Sequence, residues 1–271
     1  MPSALPRPRE GAPHASPLRL HRGPTFGEVS SARLQPQFSA NRPFLESGTA
    51  GAVDNLTLGV AGLFTRHSPR GGARNRSDRE SYALTEAHIA NLTAAQRHAA
   101  VIGLPLTRML TIHWEAAGTP LAGMPKATGR FLDLMTKALA RHDSATAWLF
   151  VHENGERKGA HCHLLAHVPP HLVTVVTGLQ RGWLRRITGK PYRARVIRSK
   201  PIGGRLRVES GNPELHAINL DAALAYILKG ACPDAASRFH LDRLEAGGRV
   251  IGKRCGTSQN VGAAARKKGA T

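Results

Sequence analysis

The run from Gly159 to Val168 limits the possible folds of this chain more than any other feature. It is mostly apolar, which predicts a buried β-strand. Side chains of a strand alternate between its two faces, and successive residues rise by about 3.3 Å. We therefore expect His161 and His163 on one face, with backbones roughly 7 Å apart, where their imidazoles can converge on one divalent ion. Cys162 is expected on the opposite face, which argues against a mixed His/Cys site.

Other apolar segments predict the sheet around this strand. Strands are predicted at 109–114, 147–151 and 192–197, and helices within 85–103, 131–139, 172–187 and 219–228. After the first helical segment, the order is strand, helix, strand, strand, helix, strand and a further helix. This order predicts an α+β fold with a ferredoxin-like antiparallel sheet of the split βαβ type. We expect helices on one face of the sheet, the histidine strand at its centre, and the other face free for a ligand.

Composition divides the chain into four segments. Residues 1–80 are rich in Pro, Gly, Ser and Arg, and we predict that they form a largely disordered basic N-terminal tail. Residues 81–104 are predicted to be a helical lead-in, and residues 105–246 to be the domain that carries the site. Residues 247–271 hold Gly, Arg and Lys without an apolar period, which predicts a basic C-terminal extension on the surface.

Basic residues are in large excess. The 271 residues include 38 Lys and Arg but only 18 Asp and Glu, which gives a formal net charge of +20. This excess favours a polyanionic partner such as nucleic acid, although a ribosome-like or merely solvated basic protein would have the same balance. The candidate nucleic-acid-binding residues are Arg185, Arg186, Arg193, Arg195 and Arg198, which would otherwise form an ordinary solvated face.

The cysteines and the apolar stretches point to a reducing, cytoplasmic location. Cys162, Cys232 and Cys255 lie far apart and form no CxxC pair, which argues against a disulfide framework and a structural zinc site. The longest apolar stretch near the start is too short to span a membrane, and no secretory signal follows the early arginines. We therefore expect no membrane partner.

The histidine pair predicts a metal site for phosphate chemistry. Two imidazole nitrogens and a carboxylate leave positions open for phosphate oxygens, and such mixed ligands suit Mg²⁺ or Mn²⁺. Glu153, the nearest carboxylate before the predicted hairpin turn at Asn154-Gly155, is the candidate third ligand. The register of the hairpin decides whether Glu153 lies beside His161 or points away.

Tyr226 and Lys229 are the candidate catalytic residues. They lie three residues apart in a predicted helix and therefore on one face. A phenol close to a divalent ion and a lysine loses its proton more readily, so Tyr226 can attack a DNA phosphodiester. The attack leaves a 5′-phosphotyrosine and a free 3′ hydroxyl, which a polymerase can extend. Lys229 could instead position the scissile phosphate.

These residues resemble the motifs of a known family. His161-Cys162-His163 is similar to the His-hydrophobe-His motif of the HUH endonucleases. The Tyr226 to Lys229 segment is similar to the Tyr-x-x-Lys motif of their single-tyrosine replication initiators, the Rep proteins. Leu110-Thr111-Ile112 resembles the first motif of that family. His152-Glu153-Asn154-Gly155 resembles the segment that precedes the histidine pair in viral and plasmid Rep proteins.

The resemblance covers roughly residues 105–232 and implies a function. It implies a metal-dependent, ferredoxin-like domain that nicks single-stranded DNA at a replication origin of a plasmid, phage or transposon and so initiates rolling-circle replication. His161 and His163 would bind Mg²⁺ or Mn²⁺, Tyr226 would be the nucleophile, and Lys229 would assist it. The spacing between Glu153 and the turn differs from the viral pattern, so the third ligand stays open.

Partners and alternatives follow from the same motifs. No phosphate-binding Gly-rich loop is present, so a helicase, like the polymerase, would come from the host. A transposase or mobilisation nuclease of the HUH superfamily would share the chemistry. A nuclease with water as the nucleophile would need more carboxylates. A non-catalytic ferredoxin-like module would stack bases on exposed aromatics of its central strands, and the histidine strand carries no aromatic on the face of His161 and His163.

Overall fold

A computed structural model describes residues 78–203 and 212–269 of the chain. The prediction of a disordered N-terminal tail therefore lies outside the described residues, except at residues 78–80, where a short strand begins. The strands are β1 (Glu80–Ser81), β2 (Arg108–His113), β3 (Trp148–Gly155), β4 (Gly159–Ala166), β5 (Ile197–Pro201), β6 (Val250–Ile251) and β7 (Cys255–Thr257). The helices are α1 (Glu86–Val101), α2 (Met124–Ala140), α3 (Val173–Thr188), α4 (Pro213–Leu228), α5 (Pro233–Arg238) and α6 (Ala263–Lys268).

The fold is α+β and is built on a five-stranded antiparallel sheet. Its strand order is β5-β2-β4-β3-β7, and β1 pairs with β6 in a separate ribbon. Strands β2 and β3 both pair antiparallel with β4, so they run parallel to each other with β4 between them. The predictions of an α+β fold, of an antiparallel sheet and of a central histidine strand are confirmed.

Helices cover both faces of the sheet, so the prediction of helices on one face is wrong. Helices α2 and α3 pack on the face that includes Phe150 and Leu164. Helices α1, α4 and α5 pack on the other face, against Leu149, Val151 and Leu165. Strands β3 and β4 carry apolar side chains on both faces. If one face were uncovered, each apolar side chain on it would lose roughly 1.5–3 kcal/mol of the stabilisation that burial provides.

The C-terminal segment is part of the fold and is not a surface extension. Strand β7 pairs with β3 at the edge of the sheet, and Val250 and Val261 are buried. The buried guanidinium of Arg254 donates hydrogen bonds to the carbonyl oxygens of Ser81 and Gly248. Strands of two or three residues are too short to show an apolar period, so the sequence pattern missed them.

Local signals explain where individual elements begin. Thr85 caps α1 with a capping box that includes His88. The side chain of Asn212 accepts a hydrogen bond from the amide of Leu215 at 3.0 Å, so α4 begins earlier than the predicted residue 219.

The strand predicted at 192–197 lies further along the chain, as β5. The backbone turns at Arg195, where φ is 68°, before the strand begins at Ile197. Among the helices of the described residues, none combines the length and the apolar character that a bilayer span requires.

Candidate metal centre

Three buried side chains from one hairpin meet on the face covered by α1 and α4. Glu153 of β3 lies directly opposite His161 of β4, and His163 follows two residues later on the same face. One ligand atom of each residue lies within 4.8 Å of those of the other two. The Oε2 atom of Glu153 is 3.2 Å from Nε2 of His161 and 3.5 Å from Nε2 of His163. The register thus brings Glu153 beside the histidine pair.

Hydrogen bonds at the Nδ1 atoms of the two histidines orient their Nε2 atoms toward the carboxylate of Glu153. Nδ1 of His161 donates to the carbonyl oxygen of Gly159 at 2.8 Å, because a carbonyl can only accept. The Nε2 atom of a neutral His161 is then an acceptor that faces a carboxylate oxygen. Nδ1 of His163 lies 3.0 Å from the hydroxyl oxygen of Thr111, which fixes the second ring. Such partners on the far nitrogen orient histidines toward metals.

Two buried polar atoms of this group lack a hydrogen-bond partner, which is consistent with a cation site. Among the described residues, Nε2 of His163 and Oε1 of Glu153 are buried and have no hydrogen-bond partner. Burying such atoms without a partner costs about 1–3 kcal/mol each, and more for a charged group. A cation between the imidazoles and the carboxylate would satisfy both atoms. Glu153, His161 and His163 can therefore hold a metal ion.

The protonation states of two of these groups suit a metal ligand. Burial raises the pKa of Glu153, but contacts with His161, His163 and Lys229 outweigh burial and hold the pKa below its ordinary value. Burial lowers the pKa of His163, and the neighbouring carboxylate of Glu153 only partly opposes that shift. An ionised carboxylate and a neutral imidazole are the forms that coordinate metals.

Lys229 contributes a buried positive charge to the same carboxylate. It follows the last residue of α4, and its side chain is 1% exposed. Its ammonium is in hydrogen-bond contact with Oε2 of Glu153 and lies 3.5 Å from Oε2 of Glu245. Buried charges require such partners, because their desolvation costs several kcal/mol per ion.

Tyr226 lies beside the imidazoles, on the same side of the sheet. Its ring meets that of His163 edge-on, with centroids 5.2 Å apart, and the side chain is only partly buried. The ammonium of Lys229 is 5.2 Å from the centroid of the tyrosine ring, and the guanidinium carbon of Arg243 is 5.3 Å from it. The structure therefore brings together the predicted metal and catalytic residues: Glu153, His161, His163, Tyr226 and Lys229.

The predicted nucleic-acid-binding arginines do not form one group. Arg198 lies opposite Thr111 on edge strand β5, and therefore on the face of His163. Arg193 and Arg195 are exposed in the loop before β5. Arg185 and Arg186 are exposed in the last turn of α3, which packs on the opposite face of the sheet.

Three residues next to the centre are not among those that the sequence predicts. His113 lies opposite His161 in β2, and their rings stack with centroids 5.5 Å apart. It lies two residues after Thr111 and therefore on the same face of β2, so strand alternation could have identified it once the register was known. Arg243 and Glu245 pair with each other in an irregular segment between α5 and β6, where the sequence offers no periodic signal.

Comparisons with known proteins do not assign a family. Neither the family models, nor the curated proteins, nor the solved structures include a match to this chain. The side chains of the centre and the motifs that they form are therefore the guide to function.

Proposed function

We propose that this chain is a metal-dependent DNA-nicking enzyme in which Tyr226 is the nucleophile. One observation carries the proposal: a partly exposed tyrosine stands edge-on to a buried histidine, with ring centroids 5.2 Å apart, at a carboxylate–imidazole group that can hold a metal ion. A phenol, a cation site and a lysine in contact are the parts that tyrosine-dependent cleavage of a phosphodiester needs.

The proposed fold of the catalytic domain is ferredoxin-like. The order β5-β2-β4-β3, with α2 between β2 and β3 and α3 between β4 and β5, supports two interlocked split βαβ units. Strand β7 and the helices on the second face would be additions to this plan. The similarity to the motifs of HUH endonucleases agrees with it, because those motifs require a histidine pair on a central strand.

The proposed metal ion is Mg²⁺ or Mn²⁺, held by Glu153, His161 and His163. The donor set mixes one carboxylate with two imidazoles and contains no thiolate, a combination compatible with Mn²⁺ or Mg²⁺ and less suited to soft metals. When bound, the ion would polarise the scissile phosphate and stabilise the charge that develops on its oxygens.

The protein side chains would carry out the covalent step. The phenol oxygen of Tyr226, after loss of its proton, attacks phosphorus, and the bond from phosphorus to the 3′ oxygen breaks. The 5′ phosphate then remains on the tyrosine as a diester, and the departing 3′ oxygen takes up a proton. Lys229 and Arg243 bring positive charge to the tyrosine ring, which would attract the phosphate.

The proposed biological role is the initiation of rolling-circle replication. The substrate would be single-stranded DNA at an origin, and a host polymerase would extend the free 3′ hydroxyl with the help of a host helicase. Transfer of a strand by a transposase or a mobilisation nuclease would use the same tyrosyl intermediate.

A covalent-adduct assay tests this proposal. The full chain is incubated with Mn²⁺ and a labelled pool of random single-stranded oligonucleotides, and attached DNA is read as a shift on denaturing gels and by sequencing. We expect an adduct that disappears in Tyr226→Phe and with EDTA. Tyr192→Phe is the matched control, because Tyr192 packs with the core on the other face of the sheet, and its adduct should equal that of the unmodified chain.

Two outcomes of this assay would contradict the proposal and favour another function. Cleavage without an adduct would favour water as the nucleophile. Binding without cleavage in Mn²⁺ or Mg²⁺ would favour a non-catalytic nucleic-acid-binding module.

A further inference from the structure

The outer surface of α3 and the loop after it form a second basic region, which we call the α3 surface. Arg181, Arg185, Lys190 and Tyr192 line an open cavity of about 760 Å³ there. A groove of about 360 Å³ adjoins α3 on its other flank, where Arg130 and Arg186 lie together.

Among the residues that the structure describes, the α3 surface carries a large excess of positive charge. The sequence contains no Asp or Glu between Glu156 and Glu209. In the described parts of the chain, no carboxylate forms an ion pair with Arg181, Arg185 or Arg186. Asp133, which lines the adjoining groove, pairs with Lys137 at 2.8 Å. Clustered and unpaired guanidinium groups attract a polyanion.

The α3 surface lies away from the metal centre. Helix α3 packs through Trp183 and Leu184 onto the face of the sheet that carries Cys162 and Leu164. Glu153 and both imidazoles lie on the opposite face. A ligand on the α3 surface therefore cannot be the nucleotides that reach Tyr226.

The aromatic ring in this region is not free to stack on a base. The guanidinium carbon of Arg181 lies 5.3 Å from the centroid of the Tyr192 ring, and Tyr192 also packs against the core. Proteins that hold single strands combine positive charge with exposed aromatic rings. Positive charge without an available ring is suited instead to a phosphate backbone, which the planar fork of Arg recognises through paired hydrogen bonds.

We propose that the α3 surface binds the phosphate backbone of duplex DNA. This inference rests on the proposed function for the choice of DNA, since nicking at an origin brings a duplex next to the cleaved single strand. Arg181, Arg185 and Arg186 are the main contacts, and Arg130 and Lys190 extend them on either side.

The salt dependence of duplex binding tests this assignment. A short labelled duplex is titrated with the full chain in EDTA, in a Tyr226→Phe background that removes cleavage, at a series of salt concentrations. The test variant is Arg181→Gln/Arg185→Gln/Arg186→Gln. The matched control, Arg97→Gln/Lys267→Gln/Lys268→Gln, removes the same charge from exposed positions on α1 and α6.

If the duplex binds to the α3 surface, the test and control variants should differ in the salt dependence of their affinity. Each lost phosphate contact should reduce the slope of log affinity against log salt by about 1, so the test variant should lose about 3 and the control much less. Arg185→Gln alone should lose about 1 and guards against a folding defect in the triple variant. Affinity for an oligothymidine single strand should fall less than affinity for the duplex.

Two results would overturn the inference. One is equal loss of slope in the test and control variants, which would mean that only total charge matters. The other is a loss confined to the single strand. The two proposals can fail separately, because this titration does not measure cleavage. If the unmodified chain forms no tyrosyl adduct in the covalent-adduct assay but the α3 variants show the expected change in slope, the nicking proposal is refuted and the α3 surface is supported.

Discussion

At the scale of single residues, the centre is organised around one carboxylate oxygen. Oε2 of Glu153 faces the Nε2 atoms of His161 and His163 as well as the ammonium of Lys229. The ammonium supplies positive charge at the position where a divalent ion would also act. The lysine and the ion therefore compete for Glu153, and a lysine released from the carboxylate would lie beside Tyr226.

This competition predicts opposite effects of Lys229→Met on metal binding and on stability. Without the ammonium, Mn²⁺ should bind roughly tenfold more tightly in isothermal titration, a change of about 1.4 kcal/mol. In EDTA the same variant should lose about 3–5 kcal/mol in free energy of unfolding, because the buried carboxylate of Glu153 loses its ammonium partner. Denaturant titration measures this loss.

Lys137→Met is the control for this variant, since Lys137 is exposed and its pair with Asp133 is a surface contact. It should change the Mn²⁺ affinity by less than about twofold and the stability by less than about 1 kcal/mol. Weaker Mn²⁺ binding by Lys229→Met would contradict the competition and would mean that the lysine supports the metal site.

At the scale of elements, the hairpin of β3 and β4 builds the centre. The shared face of His161 and His163 could be predicted from sequence, because alternation along a strand is local. The position of Glu153 could not, because it depends on how many residues the turn uses. The hairpin also depends on Gly159, whose φ is 59° and whose carbonyl oxygen accepts the hydrogen bond from Nδ1 of His161.

Gly159→Ala is expected to damage the hairpin and the metal centre together. A Cβ atom at this position would lie 2.0 Å from Oε2 of Glu115, which accepts a hydrogen bond from the amide of Ala160. The positive φ adds strain, so we expect a loss of about 1–3 kcal/mol in free energy of unfolding. Mn²⁺ affinity should also fall, because the carbonyl that orients His161 is displaced.

Gly155→Ala provides a matched control, because Gly155 lies directly opposite Gly159 on the other side of the same turn. A Cβ atom at Gly155 would meet nothing within 4 Å, and its φ is not positive. Denaturant and metal titrations should therefore leave this variant within about 0.5 kcal/mol of the unmodified chain. If both alanine variants behaved alike, the special role of Gly159 in orienting His161 would be refuted.

At the scale of the whole molecule, the two faces of the sheet carry different groups of side chains. One face carries the centre under α1 and α4, and the other carries α2 and the basic α3. The antiparallel plan could be predicted because the signals along residues 105–201 follow the order strand, helix, strand, strand, helix, strand. The second helical layer and the place of the C-terminal segment could not, because both depend on contacts between residues far apart in sequence.

The C-terminal segment supplies the last prediction. Asn154 donates a backbone hydrogen bond to Gly247 at 2.9 Å, and β7 covers the edge of β3 near Glu153. A chain ending at Ala246 would expose that edge and would lose the buried Val250 and Arg254. We expect it to show no cooperative thermal transition by circular dichroism, whereas a chain ending at Gly269 should unfold like the full chain. Equal transitions in both would instead restore the interpretation of residues 247–271 as a surface extension.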